Sequence, residues 1–114
     1  MFLVLIVLVG ACRGGAGDTA PPCSAVAAKF VEIAKYELAQ ATPDDATARA
    51  VSDQLPAMRD ALAQACTDGK WSGETRKCLA RANDHMGFEA CEQQLTDGQR
   101  GDLQRASRGT LNSP

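Results

Sequence analysis

The amino-acid sequence predicts an all-α fold: a small, disulfide-stapled helical bundle of two helical hairpins plus a short last helix. Three observations carry this. From residue 23 onward apolar side chains recur at spacings of three and four, the period of a helix with one buried face. Aromatic residues make up only 4% of the chain while alanine is abundant, which favours closely packed helices over a core of large rings. Four cysteines, at 23, 66, 78 and 91, are disposed symmetrically about two turn-forming stretches. Residues 23–109 have the length of one domain, with so little core to bury that covalent help is expected.

The chain begins with an unbroken apolar run over residues 2–9, followed by Val9-Gly10-Ala11-Cys12. A membrane-spanning helix needs about twenty apolar residues, so this run is a targeting segment and not part of the fold. The pattern of a branched aliphatic residue, small residues and a cysteine resembles the lipobox of bacterial lipoproteins. That resemblance implies that residues 1–11 are a signal peptide and that the Cys12 thiol receives a diacylglyceryl group. Cleavage before Cys12 would make it the first mature residue, often acylated on its new amine as well. The sequence departs from the family in having Val where Leu is commoner and no Lys or Arg before the apolar run. Arg13, where an Asp would direct inner-membrane retention in enteric lipoproteins, favours the outer membrane. Parity agrees with lipidation: five cysteines are present, and removing Cys12 leaves the four that two disulfides need. An oxidising envelope would let them persist.

Residues 13–22, Arg-Gly-Gly-Ala-Gly-Asp-Thr-Ala-Pro-Pro, lack apolar periodicity and read as a linker, flexible in its glycine-rich half and stiffer at Pro21 and Pro22. The first helix carries Cys23, Val26, Ala27, Phe30, Ile33, Ala34, Leu38 and Ala41 on one stripe, with Lys29, Glu32, Lys35 and Glu37 off it. Thr42-Pro43-Asp44-Asp45 predicts a helix start with Thr42 as the cap and Pro43 in the first turn. The second helix places Val51, Leu55, Met58, Leu62, Ala65 and Cys66 inward and stops near Asp68-Gly69. Pro56 predicts either a kink or two short helices joined near residues 52–55. Ser72, with Glu74 in the first turn, caps a third helix through Cys78, Leu79 and Ala82 that stops at Asn83. Residues 84–87 are expected to turn, residues 88–95 to form a fourth helix, and Thr96-Asp97-Gly98-Gln99 to open a fifth with a capping box. Residues 110–114 read as a disordered tail.

Four cysteines allow three pairings. In an antiparallel helical hairpin, residues equidistant from the turn face each other. The point midway between 23 and 66 falls between Asp44 and Asp45, and that between 78 and 91 falls between Asp84 and His85. The expected bonds are therefore Cys23–Cys66 and Cys78–Cys91.

For chemistry the sequence offers little. A formal charge of −2 made of interspersed acids and bases excludes a nucleic-acid stripe and an acidic cation-binding block. Zinc sites prefer close cysteine pairs, and His85 is the only histidine, so no metal or other cofactor is expected. A catalytic thiol would need Cys78 or Cys91 free beside His85. The pairing above consumes both, and His85 reads as a surface turn residue. Asp44, Asp45, Glu89 and Glu92 have explanations in helix-end electrostatics or solvated faces. Trp71 is the sole tryptophan: it would anchor a partner if exposed, and pack over the helix start if buried. Arg76, Lys77 and Arg81 form a basic side of the third helix, suited to an acidic partner or anionic headgroups if not simply solvated.

The segment Trp71-Ser72-x-Glu74-x3-Cys78-Leu79-x2-Ala82, with Cys66 before it and Cys91 after it, is similar to small uncharacterised lipoproteins of myxobacteria-like organisms. That family has no established activity and implies no site residues. The expectation is a monomeric, non-enzymatic envelope lipoprotein, held on the bilayer by acylated Cys12 and serving as a structural module or one that binds another envelope protein. The contrasting expectation is a small exported enzyme or thiol or metal protein using Cys78, His85 or Cys91.

Overall fold

The computed structural model describes residues 19–108, and Cys12, the signal segment and the tail at 110–114 lie outside them. Five helices follow in order: α1 over Cys23–Ala41, α2 over Asp45–Asp68, α3 over Gly73–Arg81, α4 over His85–Glu92 and α5 over Asp97–Arg108. α1 packs along α2 and also against α3 and α4; α3 pairs with α4, and α5 closes over α2. Both disulfides have the expected connectivity. Cys23–Cys66 ties the start of α1 to the end of α2 with its Cα atoms 5.7 Å apart, and Cys78–Cys91 joins α3 to α4 at 5.6 Å.

The core runs through all five helices. Val26, Ala27 and Ile33 of α1 meet Leu62 and Cys66 of α2, Leu79 of α3, Phe88 and Cys91 of α4, and Leu103 and Ala106 of α5. Leu55 and Met58 are buried farther back along α2. The apolar stripe of α1 is buried in its first half and loses cover later, where Leu38 is half-buried and Ala41 exposed. That is the geometry of a long helix whose neighbours α3 and α4 are short.

Thr42 does not cap α2. It ends α1 in a left-handed conformation, φ 46° and ψ 53°. The cap is Asp44, which accepts from the Thr47 backbone N–H at 2.7 Å. Pro43 consequently precedes the cap, where its fixed φ stiffens the reversal between two long antiparallel helices. The hydrogen bonds from Thr47 hold the Asp44 carboxyl below its ordinary value.

Pro56 interrupts nothing at the level of the helix: α2 is continuous over 24 residues. The bond that an N–H at this position would make to the Ser52 carbonyl cannot form. Leu55, Met58, Leu62 and Cys66 nevertheless bind both sides of the proline to one core face, and the ring itself is exposed.

The fourth helix begins three residues earlier than its sequence pattern predicts and ends at Glu92. Asp84 is its cap, accepting from Gly87 N–H at 2.7 Å, so the expected turn is the first turn of the helix and His85 its first residue. α3 stops at Arg81, with Ala82 rather than Asn83 at its end. The capping box of α5 forms as predicted: Thr96 N–H donates to Gln99 Oε1 at 3.0 Å and Gln99 N–H to Thr96 Oγ1 at 3.2 Å.

Candidate functional site

The loop from Gly69 to Ser72 brings α2 round to α3. Ser72 caps α3 by accepting from Thr75 N–H at 3.2 Å, and the Thr75 hydroxyl, buried, lies 2.9 Å from that of Ser72. Trp71 points inward and is 3% exposed. Its indole fills the space beside the α2 terminus, and Nε1 has no hydrogen-bonding partner among the described residues. Trp71 is therefore a core residue here: a core so poor in aromatics has room for the ring, and the loop turns it in.

Arg76 is likewise taken up by the protein's own backbone. Its guanidinium donates from Nε to the Trp71 carbonyl at 3.2 Å and from Nη1 to the Pro21 carbonyl at 2.8 Å. A residue grouped by sequence with a solvated basic face thus joins the end of the linker to α3. Of that group, Lys77 is half-buried and Arg81 exposed. The long-range bond from Arg76 carries no local sequence signal, because its acceptor is a main-chain oxygen 55 positions away.

The other feature is a cleft of about 220 Å³ between α1, α4 and α5, with an apolar floor of Phe30, Ile33, Ala34 and Phe88 and a polar edge of Glu37, His85 and Ser107. Phe30 and Phe88 meet at a centroid distance of 6.0 Å, tilted by 54°. His85 is largely exposed and its Nε2 stands 2.8 Å from Glu89 Oε1, one helical turn on. Glu92, a further turn down the same helix, has its carboxyl pushed above the ordinary glutamate value by burial, then by the nearby charge of Glu89. His85 and Arg100 pull it the other way. Sequence periodicity places Phe30, Ile33 and Ala34 inward correctly but does not show that the short α4 and α5 leave Phe30 and Ala34 partly open.

This arrangement can hold a small, mostly apolar group beside a histidine–carboxylate pair. It has no thiol to work with, since Cys78 and Cys91 are bonded to each other. Among the described residues no three His, Cys, Asp or Glu side chains converge as metal ligands, and no helix is long and apolar enough to cross a membrane. Tyr36, 64% exposed, and Met86, 79% exposed, are the large apolar side chains left in solvent among the described residues. Tyr36 borders a second, smaller depression that shares Ile33 with the cleft. Comparison with protein-family models, with curated proteins and with solved structures returns no match.

Proposed function

We propose that the chain is a lipid-anchored module of the bacterial cell envelope, on the outer membrane by preference, that works by contact and not by catalysis. One observation carries the reading. All four cysteines of the helical domain are consumed in two disulfides, so the fifth, Cys12, is left over inside a lipobox-like motif. Disulfides of this kind persist where thiols are not kept reduced, which agrees with export. The contact surface is best sought around exposed Tyr36 and Met86 and at Arg81, since Trp71 and Arg76 are occupied within the domain. The partner is the bilayer, through acylated Cys12, and a second envelope protein.

The test is the intact mass of the protein from the membrane fraction of an expressing bacterium, with and without alkylation after denaturation. A species that starts at diacylated Cys12 and takes up no alkylating reagent is expected. A full-length or differently cut species with reactive thiols would sink the anchor and the export together. The cleft beside His85 favours a second reading, a small exported enzyme. A small-molecule thermal-shift screen in which hits are lost in His85→Ala would support it over the first.

A further inference from the structure

The last residues of the linker are held by the domain at two places. The Arg76 guanidinium grips the Pro21 carbonyl at 2.8 Å while its Nε is fixed on the Trp71 carbonyl. Gly73, the first residue of α3, makes room alongside: a Cβ there would stand 3.0 Å from the Cβ of Ala20, tighter than ordinary contact. Pro21 and Pro22 have no N–H to offer, so the carbonyls are the only main-chain handles in this stretch. Both are used, since the Pro22 carbonyl accepts from Ala25 and Val26 at the start of α1.

We infer that Arg76 and Gly73 form a clip that fastens the tether to the domain and thereby turns the start of α3 toward the phospholipid headgroups. The inference rests on the lipid-anchor reading for its membrane half. Unclipped, the tether would run from Cys12 to Cys23 and reach about 38 Å when fully extended. Clipped at Ala20 and Pro21, the length that remains between Cys12 and Thr19 can reach no more than about 24 Å. The domain is then attached off-centre, close to the bilayer, at one named corner. Glu74 and Lys77 line the same depression as Thr19, Ala20 and Arg76, so with the clip arginine itself they are the charged side chains brought nearest the headgroups. The cleft and Tyr36, farther along α1, are carried away from the surface and left open to a partner.

Two measurements separate the halves of the proposal. In the full-length chain carrying Cys12→Ser, which cannot be acylated or mispair, {1H}-15N heteronuclear NOEs at Thr19 and Ala20 should match those of the helices and collapse when Arg76→Gln or Gly73→Val is added. A Cβ at 73 would crowd Ala20 at 3.0 Å but meet Arg76 Nη2 only at an ordinary 3.7 Å, so the valine acts on Ala20 first and leaves the arginine in place, with circular dichroism as the check on the fold of both variants. Low values in the parent, or values unchanged in both variants, overturn the clip. In the acylated protein on nanodiscs of phosphatidylethanolamine and phosphatidylglycerol with a gadolinium-chelating lipid, amides of Gly73, Glu74 and Lys77 should broaden several-fold more than those of Tyr36 and Glu37. Arg76→Gln should even out the difference. Uniform broadening in the parent overturns the orientation while leaving the clip. A chain that cannot be acylated or does not join the nanodisc overturns the anchor itself, and the NOE result stands apart from it.

Discussion

At the scale of single residues, Gly69 and Lys70 divide between them what one glycine often does at the end of a helix. The left-handed backbone falls on Lys70, φ 50°, whereas Gly69 has an ordinary φ of −77°. Glycine is needed at 69 for space: a Cβ there would lie 2.8 Å from Trp71 Nε1 and 2.9 Å from the Ala65 carbonyl oxygen. Gly69→Ala should therefore cost about 1–3 kcal/mol as an overpacking change, read as a lowered melting point with a shifted Trp71 fluorescence maximum. An unshifted spectrum and melting point would show that the loop accommodates the methyl. Two carboxyls make opposite contributions to acid behaviour. Asp44 has a lowered value in the fold, so its stabilising effect is present above its unfolded value of 3.8 and is lost as pH falls through the folded one. Glu92 has a raised value, so the folded state holds a proton that the unfolded state has released above 4.5, and stability falls as pH rises through that window. Glu92→Gln should gain stability relative to the parent on going from about pH 4 to pH 7, and Asp44→Asn should lose it over about pH 2 to pH 5. Urea unfolding across that range checks both signs.

The helices show which parts of the fold are written locally. The caps at Ser72 and Thr96 and the two disulfides depend on spacings within one hairpin or one turn, and the pairing of cysteines about the two turns follows from them. The switch from Thr42 to Asp44 as cap, and the early start of α4, were ambiguous in sequence because two good acceptors stood within three residues of each other or of the first apolar position. Side-chain bonds to the backbone of another segment were not legible. Arg76 reaches Pro21, Gln99 Nε2 bonds the Gly69 carbonyl at 2.8 Å, and Arg100 donates to the carbonyls of Glu92 and Leu95 at 3.3 and 3.1 Å. Each uses a main-chain oxygen, which has no residue identity to read. The cleft belongs with them, since it arises from how short α4 and α5 are relative to α1. Pro56 gives the prediction proper to this scale. It sits on the exposed face of a continuous helix, so Pro56→Ala restores a hydrogen bond and should stabilise the domain by about 1–3 kcal/mol, less what the proline gains by stiffening the unfolded chain. Denaturant midpoints measure the net, and a destabilised variant would mean that the proline shapes α2 against its neighbours.

For the whole molecule, the disulfides frame a core whose large members are mostly leucines, with few rings among them. The chain-entropy relation assigns about 4 kcal/mol to the Cys23–Cys66 loop and about 3 kcal/mol to Cys78–Cys91, upper figures because native strain is left out. A small domain has about 5–15 kcal/mol in all, so replacing Cys23 and Cys66 together by alanine should bring this one close to unfolding near room temperature, while the Cys78 and Cys91 pair should leave a weakened but folded bundle. Helicity followed through chemical denaturation distinguishes them, and equal loss in both would show that the loops are not what sets stability. The two bonds also join neighbours in chain order, first with second and third with fourth within the domain. An oxidase that pairs thiols as they emerge from a translocon would make both without reshuffling, provided Cys12 is already blocked. With Cys12 free, the first two thiols to appear would be 12 and 23, and every later pairing would slip by one. On the proposed lipid-anchor reading, an acyl group on Cys12 would protect folding as much as it anchors, and oxidative refolding of unacylated protein should scramble where Cys12→Ser does not.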